Sequence, residues 1–104
     1  DGIYLTALAD GLKASIDAAA ADLAIYLAGA DPYEDDRFGR LALTKKGLAE
    51  RDRLVFQNCL AAGLPTAVTM AGGYAPDIDD IVDIHQQTVE NALALYDQWH
   101  RDRQ

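Results

Sequence analysis

The length, composition and charge of the chain restrict its fold class and its partners. It has 104 residues, so it forms one domain at most, or part of one. Hydrophobic residues make up 50% and charged residues 25%, which is typical of a globular protein and argues against disorder. A net charge of −8 disfavours nucleic acid as a partner. No apolar run approaches the ~18 residues of a transmembrane helix, so no membrane partner is expected.

The cysteine content and the first residue bear on the context of the chain. Cys59 is the single cysteine, which excludes an internal disulfide and favours a reducing compartment. Because no signal peptide is visible either, we expect a cytoplasmic protein. Cys59 lies within a predicted amphipathic helix and is expected to be a small buried residue rather than a nucleophile. Asp1 stands where a start methionine would, which suggests a processed chain or a piece of a longer one.

The first two elements are predicted from hydrophobic patterning. Residues 3–20 are predicted to form a helix, because leucines and an isoleucine recur at helical spacing. These apolar positions are Leu5, Leu8, Leu12 and Ile16. Residues 23–28 form a continuous apolar run, which is typical of a strand buried on both faces of a parallel sheet.

Two more helices and a second strand follow. Thr44 is a suitable N-cap for a helix over residues 45–62, which Gly63 and Pro65 would end. Its predicted apolar stripe is Leu48, Val55, Cys59 and Ala62, with residues 50–53 largely on the polar side. Residues 66–70 are predicted to be a strand, and a third helix is predicted to begin near Asp77. The third helix carries an apolar stripe, with basic residues at its far end. These residues are Ile78, Ile81, Val82, His85, Val89, Ala92, Tyr96 and Trp99, then Arg101 and Arg103.

The predicted order α-β-α-β-α places the chain in the α/β class. Strand, crossover helix and strand form one βαβ unit, in which the strands are almost always parallel. A two-stranded parallel sheet has two open edges and needs cover on both faces. We therefore expect the sheet to dock against the remainder of its own domain or against another chain.

Each predicted strand is followed by a loop that carries a chemically active side chain. If the strands are parallel, both loops lie at the carboxyl edge of the sheet, where α/β proteins bind ligands. Asp31, after Gly29 and Ala30, is either a hard oxygen ligand for a divalent ion or a turn aspartate before Pro32. Glu34 and Asp35 are expected to be solvated, and a local ion pair is predicted between Asp36 and Arg37.

The second loop reads Ala71-Gly72-Gly73-Tyr74. The glycine pair permits a sharp turn and a close approach to a ligand. Tyr74 either donates a hydrogen bond to a developing oxyanion or anchors the turn. The glycine pair lacks the longer patterns of a phosphate-binding loop.

The two histidines do not form a catalytic or metal-binding pair with each other. His85 is predicted to be a core histidine with one satisfied ring nitrogen, and His100 is predicted to be exposed. No nucleophile elbow is present, and zinc sites usually take three ligands from the protein. The residues alone therefore indicate one candidate metal ligand, one candidate electrophile and no general base.

These motifs, taken in order, resemble the C-terminal zinc-ligand region of the histone deacetylase family, with the character of its bacterial and class IV-like members. The resemblance covers nearly the whole chain and is weakest in the first twenty and the last ten residues. The matching residues are Gly29, Ala30, Asp31 and Pro32; Asp36, Arg37, Phe38, Gly39, Arg40 and Leu41; Leu43 and Thr44; Gly47 and Leu48; Arg51 and Asp52; Gly63, Leu64 and Pro65; Ala71, Gly72, Gly73 and Tyr74; and Ile84, His85 and Thr88.

The resemblance implies an arginase/deacetylase-like three-layer sandwich of which this chain is the C-terminal third. It implies a zinc ion (Zn2+) held by two aspartates and a histidine, one aspartate being Asp31. It also implies that Tyr74 polarises the amide carbonyl of an acylated lysine or amine, and that Gly72 and Gly73 form the adjoining substrate loop. The family's Asp-x-His ligands and His-His base are absent, so the chain alone is expected to be inactive.

Two interpretations of the sequence in which the chain takes no part in zinc-dependent deacetylation remain open. The chain could be a remnant that serves as an oligomerisation or interaction module, with its strand edges and apolar stripes buried between subunits. An unrelated α/β binding domain would require the ordered series of motifs to be accidental.

Overall fold

The computed structural model describes residues 1–102 and has the predicted order of elements. The order α-β-α-β-α is thereby confirmed, while Arg103, predicted at the end of the third helix, lies outside the described residues. The elements are α1 (Gly2–Ala19), β1 (Ala24–Ala28), α2 (Lys45–Ala61), β2 (Thr66–Met70) and α3 (Ile78–Asp102).

The two strands pair in parallel, as predicted, with α2 as the crossover. Ala24 aligns with Thr66 at one end and Ala28 with Met70 at the other. Both strands therefore end at the same edge of the sheet, so the loops that follow them begin side by side.

The ends of α2 have local chemical causes. The Thr44 hydroxyl accepts a hydrogen bond from the Gly47 N–H at 3.0 Å, the N-cap interaction expected from the sequence. The carboxylate of Asp1 accepts from the Thr44 N–H (2.9 Å) and hydroxyl (2.6 Å), which also connects α1 to this helix end. After the helix, Gly63 adopts a φ of 71°, a left-handed conformation that glycine accepts without strain.

The core joins the first loop to α2 and α3. Its central cluster consists of Ala30, Tyr33, Leu43, Leu48 and Ile84. Further along α2, Val55, Phe56 and Cys59 are also buried, which confirms the burial predicted for Cys59. The segment that carries Asp31 is therefore anchored by core packing and is not an independent surface loop.

The burial of three elements differs from the sequence predictions. β1 was expected to be buried on both faces, but Ile25 and Leu27 are 64% and 68% exposed. Tyr26, on the opposite face, packs edge-on against Phe56 of α2, with ring centroids 5.6 Å apart. Only the face towards α2 is covered within residues 1–102, so the other face remains an open apolar surface.

The helices also bury faces that periodicity did not identify. In α2, Arg51 and Asp52 are buried although they were placed on the polar side, because they pair with each other inside the fold. In α3, Ile84 and Thr88 are the buried residues, since that face packs towards α2. Much of the predicted stripe of α3 is exposed instead, including Ile78, Val82, Val89 and Tyr96. Among residues 1–102, no helix combines the length and apolar character needed to cross a membrane.

Candidate functional site

The two loops at the carboxyl edge continue the pairing of the strands. We call residues 29–43 the first loop and residues 71–77 the second loop. The Ala71 N–H donates to the Ala28 carbonyl (3.1 Å), and the Ala30 N–H donates to the Gly72 carbonyl (2.7 Å). The structure therefore brings together the two loops that carry Asp31 and Tyr74.

Two glycines permit this close packing. A Cβ at Gly29 would lie 2.5 Å from the Asp31 Oδ1 and 3.2 Å from the Gly72 carbonyl oxygen. A Cβ at Gly73 would lie 2.8 Å from the Ala30 Cβ. Gly72 differs, because a Cβ there would meet nothing within 4 Å and its φ is not positive. Residues 71–75 form neither a turn nor a bend, so the sharp turn predicted at the glycine pair is wrong, and Gly73 serves loop-to-loop packing.

Asp31 lies exposed at the strand edge and keeps its carboxylate available. The turns around it are closed by backbone groups, since the Tyr33 N–H donates to the Ala30 carbonyl at 3.1 Å. Within residues 1–102, the Asp31 carboxylate accepts no hydrogen bond and forms no ion pair. A turn-capping aspartate would normally bond a nearby N–H. The Asp31 carboxylate therefore does not cap this turn through a hydrogen bond within residues 1–102.

Tyr74 presents its side chain at the same edge. The residue is 58% exposed, and its ring packs edge-on against Phe38 of the first loop, with centroids 5.0 Å apart. The Tyr74 N–H donates to the Asp36 Oδ2 at 2.6 Å, and its carbonyl accepts from the Arg37 N–H at 3.4 Å. The phenol has no hydrogen-bond partner among the described residues, so it can donate to a ligand.

Asp36 connects the two loops, a role that the sequence analysis did not identify. It is only 8% exposed, and its carboxylate accepts hydrogen bonds from the N–H groups of Tyr74, Phe38 (2.9 Å) and Gly39 (2.8 Å). The predicted ion pair with Arg37 is wrong, because these backbone donors occupy the carboxylate. The Tyr74 N–H, with those of Phe38 and Gly39, lowers the pKa of Asp36 against the opposing effect of burial. An aspartate followed three residues later by glycine was the available signal, since aspartate often bonds the backbone of its own turn.

Replacing Asp36 with asparagine should loosen this connection. The amide has one accepting oxygen, so it cannot serve the N–H groups at both Oδ1 and Oδ2. We expect a loss of about 1–3 kcal/mol in the free energy of unfolding, the cost of leaving a buried donor unpaired. Denaturant titration at neutral pH measures this loss. Asp35→Asn, an exposed neighbour in the same loop, is the control, and equal stability of both variants would contradict the assignment.

The pH dependence of stability gives a second test of Asp36. Because its folded-state pKa is lowered, its contribution is fully present above the ordinary value of 3.8 and is lost as the pH falls through the folded-state pKa. We expect Asp36→Asn to reduce the fall in Tm over this acidic range, relative to Asp35→Asn. Parallel Tm curves for the two variants would show that Asp36 contributes no acid-labile stability.

The two histidines lie outside this site. Neither ring nitrogen of His85 is hydrogen-bonded within residues 1–102, and its Nδ1 is buried, so the predicted satisfied nitrogen is wrong for this part of the protein. His85 instead borders an apolar hollow with Met70, Val82 and Val89. His100 is exposed, as predicted, and its ring packs against Tyr96.

A metal ion would need ligands in addition to those of this region. Among residues 1–102, no three or more His, Cys, Asp or Glu side chains converge in a way that could hold one. The Asp31 carboxylate fits as a single hard oxygen ligand, because it is exposed and unengaged. Any further ligands would have to come from outside the described residues.

Comparison with known proteins agrees with the fold. The sequence matches the histone deacetylase domain over residues 1–90. It is also 46% identical over 96 residues to an uncharacterized protein of Picosynechococcus sp. (strain PCC 7002). That match covers 92% of this chain but 32% of the relative, so the chain spans about a third of the relative's length. The chain belongs to the histone deacetylase family.

Proposed function

We propose that this chain is the C-terminal part of a zinc-dependent deacetylase-type amidohydrolase, which removes the acyl group from acetyl-lysine or a related acylated amine. Asp31 is assigned as one zinc ligand and Tyr74 as the residue that stabilises the oxyanion. The observation that carries the proposal is the adjacency of the two loops. They present an unengaged carboxylate and an unengaged phenol at the carboxyl edge of a parallel sheet in a chain of this family.

The proposed zinc site is divided between this chain and the rest of the protein. Asp31 would supply one oxygen, and the remaining protein ligands and the general base would come from residues outside this chain. Bound zinc would act as a Lewis acid towards the amide carbonyl. Glycine at residue 29 leaves room for the Asp31 carboxylate, because a Cβ there would lie 2.5 Å from its Oδ1.

The proposed role of Tyr74 is to donate its phenolic hydrogen to the oxygen of the amide as negative charge develops there. Such a donor is effective only when its position is fixed before the reaction. Phe38 contacts the ring, and Asp36 holds the backbone N–H of Tyr74, so both the side chain and the backbone are constrained. A Cβ at Gly72 would meet nothing within 4 Å, and Gly73 packs against Ala30 of the first loop, which suits a loop that borders the substrate.

We propose that the partner covering the open surfaces is the remainder of the same domain. Ile25 and Leu27 leave one face of the sheet apolar and exposed, and Val82 and Val89 leave a similar face on α3. Large exposed apolar patches commonly mark surfaces that contact another part of a protein or a partner. The Picosynechococcus relative is about three times as long as the matched region, so a protein of that length has enough further residues to cover these faces.

The proposal is tested by measuring acetate release from an acetyl-lysine peptide and from an acetylated polyamine by the full-length protein. We expect release from at least one of them, loss of release after zinc is chelated, and recovery when zinc is restored. Zinc-loaded protein that releases acetate from neither substrate, nor the acid from longer acyl-lysine peptides, would contradict it.

A further inference from the structure

A buried polar network contacts the start of the first loop. Asp52 is fully buried, and its Oδ1 accepts from the Nε (3.1 Å) and Nη2 (2.9 Å) of Arg51. The Tyr26 hydroxyl of β1 donates to the same oxygen at 2.5 Å. The Thr88 hydroxyl of α3 donates to the Asp52 Oδ2, also at 2.5 Å. The network therefore connects α2 with β1 and α3 in the interior of the fold.

A further donor of this network, the Nη1 of Arg51, bonds the backbone two residues before Asp31. Arg51, which is 5% exposed, donates through its Nη1 to the Gly29 carbonyl at 2.6 Å. The N–H of the same peptide group, that of Ala30, donates to the Gly72 carbonyl at 2.7 Å. The peptide group between Gly29 and Ala30 is thus held at both ends, and Asp31 follows immediately.

We propose that Arg51 and Asp52 act as a positioning pair, which fixes the Gly29–Ala30 peptide group and through it the orientation of the Asp31 carboxylate. This inference rests on the proposed function, because it assumes that Asp31 binds a metal. Neither residue touches the metal or the substrate in this assignment. Their effect passes through one peptide group, in the way that outer-shell hydrogen bonds orient metal ligands.

The chemistry of arginine suits this task. Its planar guanidinium presents donors in a fixed fork, so Nε and Nη2 bind one carboxylate while Nη1 points to a separate acceptor. A lysine ammonium has a single nitrogen and cannot reproduce this two-sided geometry. Tyr26 and Thr88 also donate to the Asp52 carboxylate, so the group that the guanidinium binds is itself held in place.

The test is the zinc affinity of the full-length protein, measured by competition with a chromogenic chelator. We expect Arg51→Lys to weaken zinc binding by about 10–100-fold, the range for loss of an outer-shell partner. The absorption spectrum of cobalt bound in place of zinc should change as well, because the ligand geometry is altered. Asn91→Ala is the control, since it removes a hydrogen bond from α3 to the Ala49 carbonyl of α2 (3.2 Å) that involves neither Arg51 nor Asp52.

Asn91→Ala is expected to lower Tm but to leave zinc affinity and the cobalt spectrum close to those of the wild type. If Arg51→Lys does not fold, the double variant Arg51→Gln/Asp52→Asn removes both buried charges while keeping a hydrogen-bonded pair. Its shorter glutamine cannot reach Gly29 and residue 52 together, so the same weakening is expected.

The outcomes separate this inference from the proposed function. Wild-type zinc affinity in the Arg51 variant, or equal weakening in Asn91→Ala, would overturn the positioning role while leaving Asp31 as a ligand. A wild-type protein that binds no zinc would overturn the proposed function itself, and the positioning role with it.

Discussion

Replacing Tyr74 with phenylalanine in the full-length protein is expected to lower kcat by about 10²–10³-fold, as for other single oxyanion donors. The ring should keep its edge-on contact with Phe38, and the backbone N–H should keep its bond to Asp36. Zinc content and Tm are therefore expected to stay close to those of the wild type. The measurement is steady-state acetate release, together with the metal content of the same sample.

Tyr96→Phe is the control for this substitution. Tyr96 is 60% exposed on α3 and packs against His100, away from the carboxyl edge of the sheet, so its hydroxyl should not affect turnover. Equal activity of the Tyr74 and Tyr96 variants would contradict the assignment of Tyr74. A loss of zinc in Tyr74→Phe would assign this tyrosine to the structure of the metal site rather than to the oxyanion.

Replacing Asp31 with asparagine is expected to have the larger effect on the metal. The amide is nearly isosteric but neutral, so it is a much weaker ligand for a divalent cation. Since the loss of an outer-shell partner already costs up to about 100-fold in metal affinity, the loss of a ligand should cost at least that much. Acetate release should fall in proportion to zinc occupancy. Chelator competition measures the affinity directly.

Asp35→Asn is the matched control, because Asp35 is exposed in the same loop and the same charge is removed. Its zinc affinity is expected to equal that of the wild type. Weakening by the same factor in both variants would indicate a general effect of local charge and would contradict the assignment of Asp31 as a ligand. Asp31→Asn is not expected to alter stability in the metal-free protein, because its carboxylate bonds no described residue.

The sequence predicted the elements well because their signals are local. Thr44 and Gly63 mark the ends of α2 through the hydrogen bond from the Gly47 N–H and through a left-handed φ, which are both local features of the chain. The parallel pairing follows from the strand–helix–strand order, and it places the loops that carry Asp31 and Tyr74 at one edge of the sheet. The family resemblance added roles to these residues that spacing alone left open.

The buried charges could not be predicted in this way. Arg51 and Asp52 appear as ordinary polar residues of an amphipathic helix, and their burial depends on Tyr26 and Thr88, which are far away in the sequence. The ion pair predicted between Asp36 and Arg37 is wrong for the same reason, because a sequence pattern indicates partners that are close in the sequence. Its actual partner in the second loop, the Tyr74 N–H, is 38 residues further along the chain.

The exposure of one face of β1 differs from the prediction because the residues that would cover this face are not among the described ones. Ile25 and Leu27 have the apolar character of a strand covered on both sides, yet one side is open within residues 1–102. The sequence of a strand reflects its surroundings in the complete fold, whereas the described residues include only some of those surroundings. The mismatch is what we expect if the rest of the domain covers this face.

The central claim is that Asp31 and Tyr74 belong to one zinc site, and anomalous diffraction at the zinc absorption edge tests it most directly. In crystals of the zinc-loaded full-length protein, we predict an anomalous peak about 2.0–2.2 Å from an Asp31 carboxylate oxygen. The Tyr74 hydroxyl should face the open side of that peak. A zinc peak bound elsewhere, with Asp31 still directed to solvent, would contradict the account.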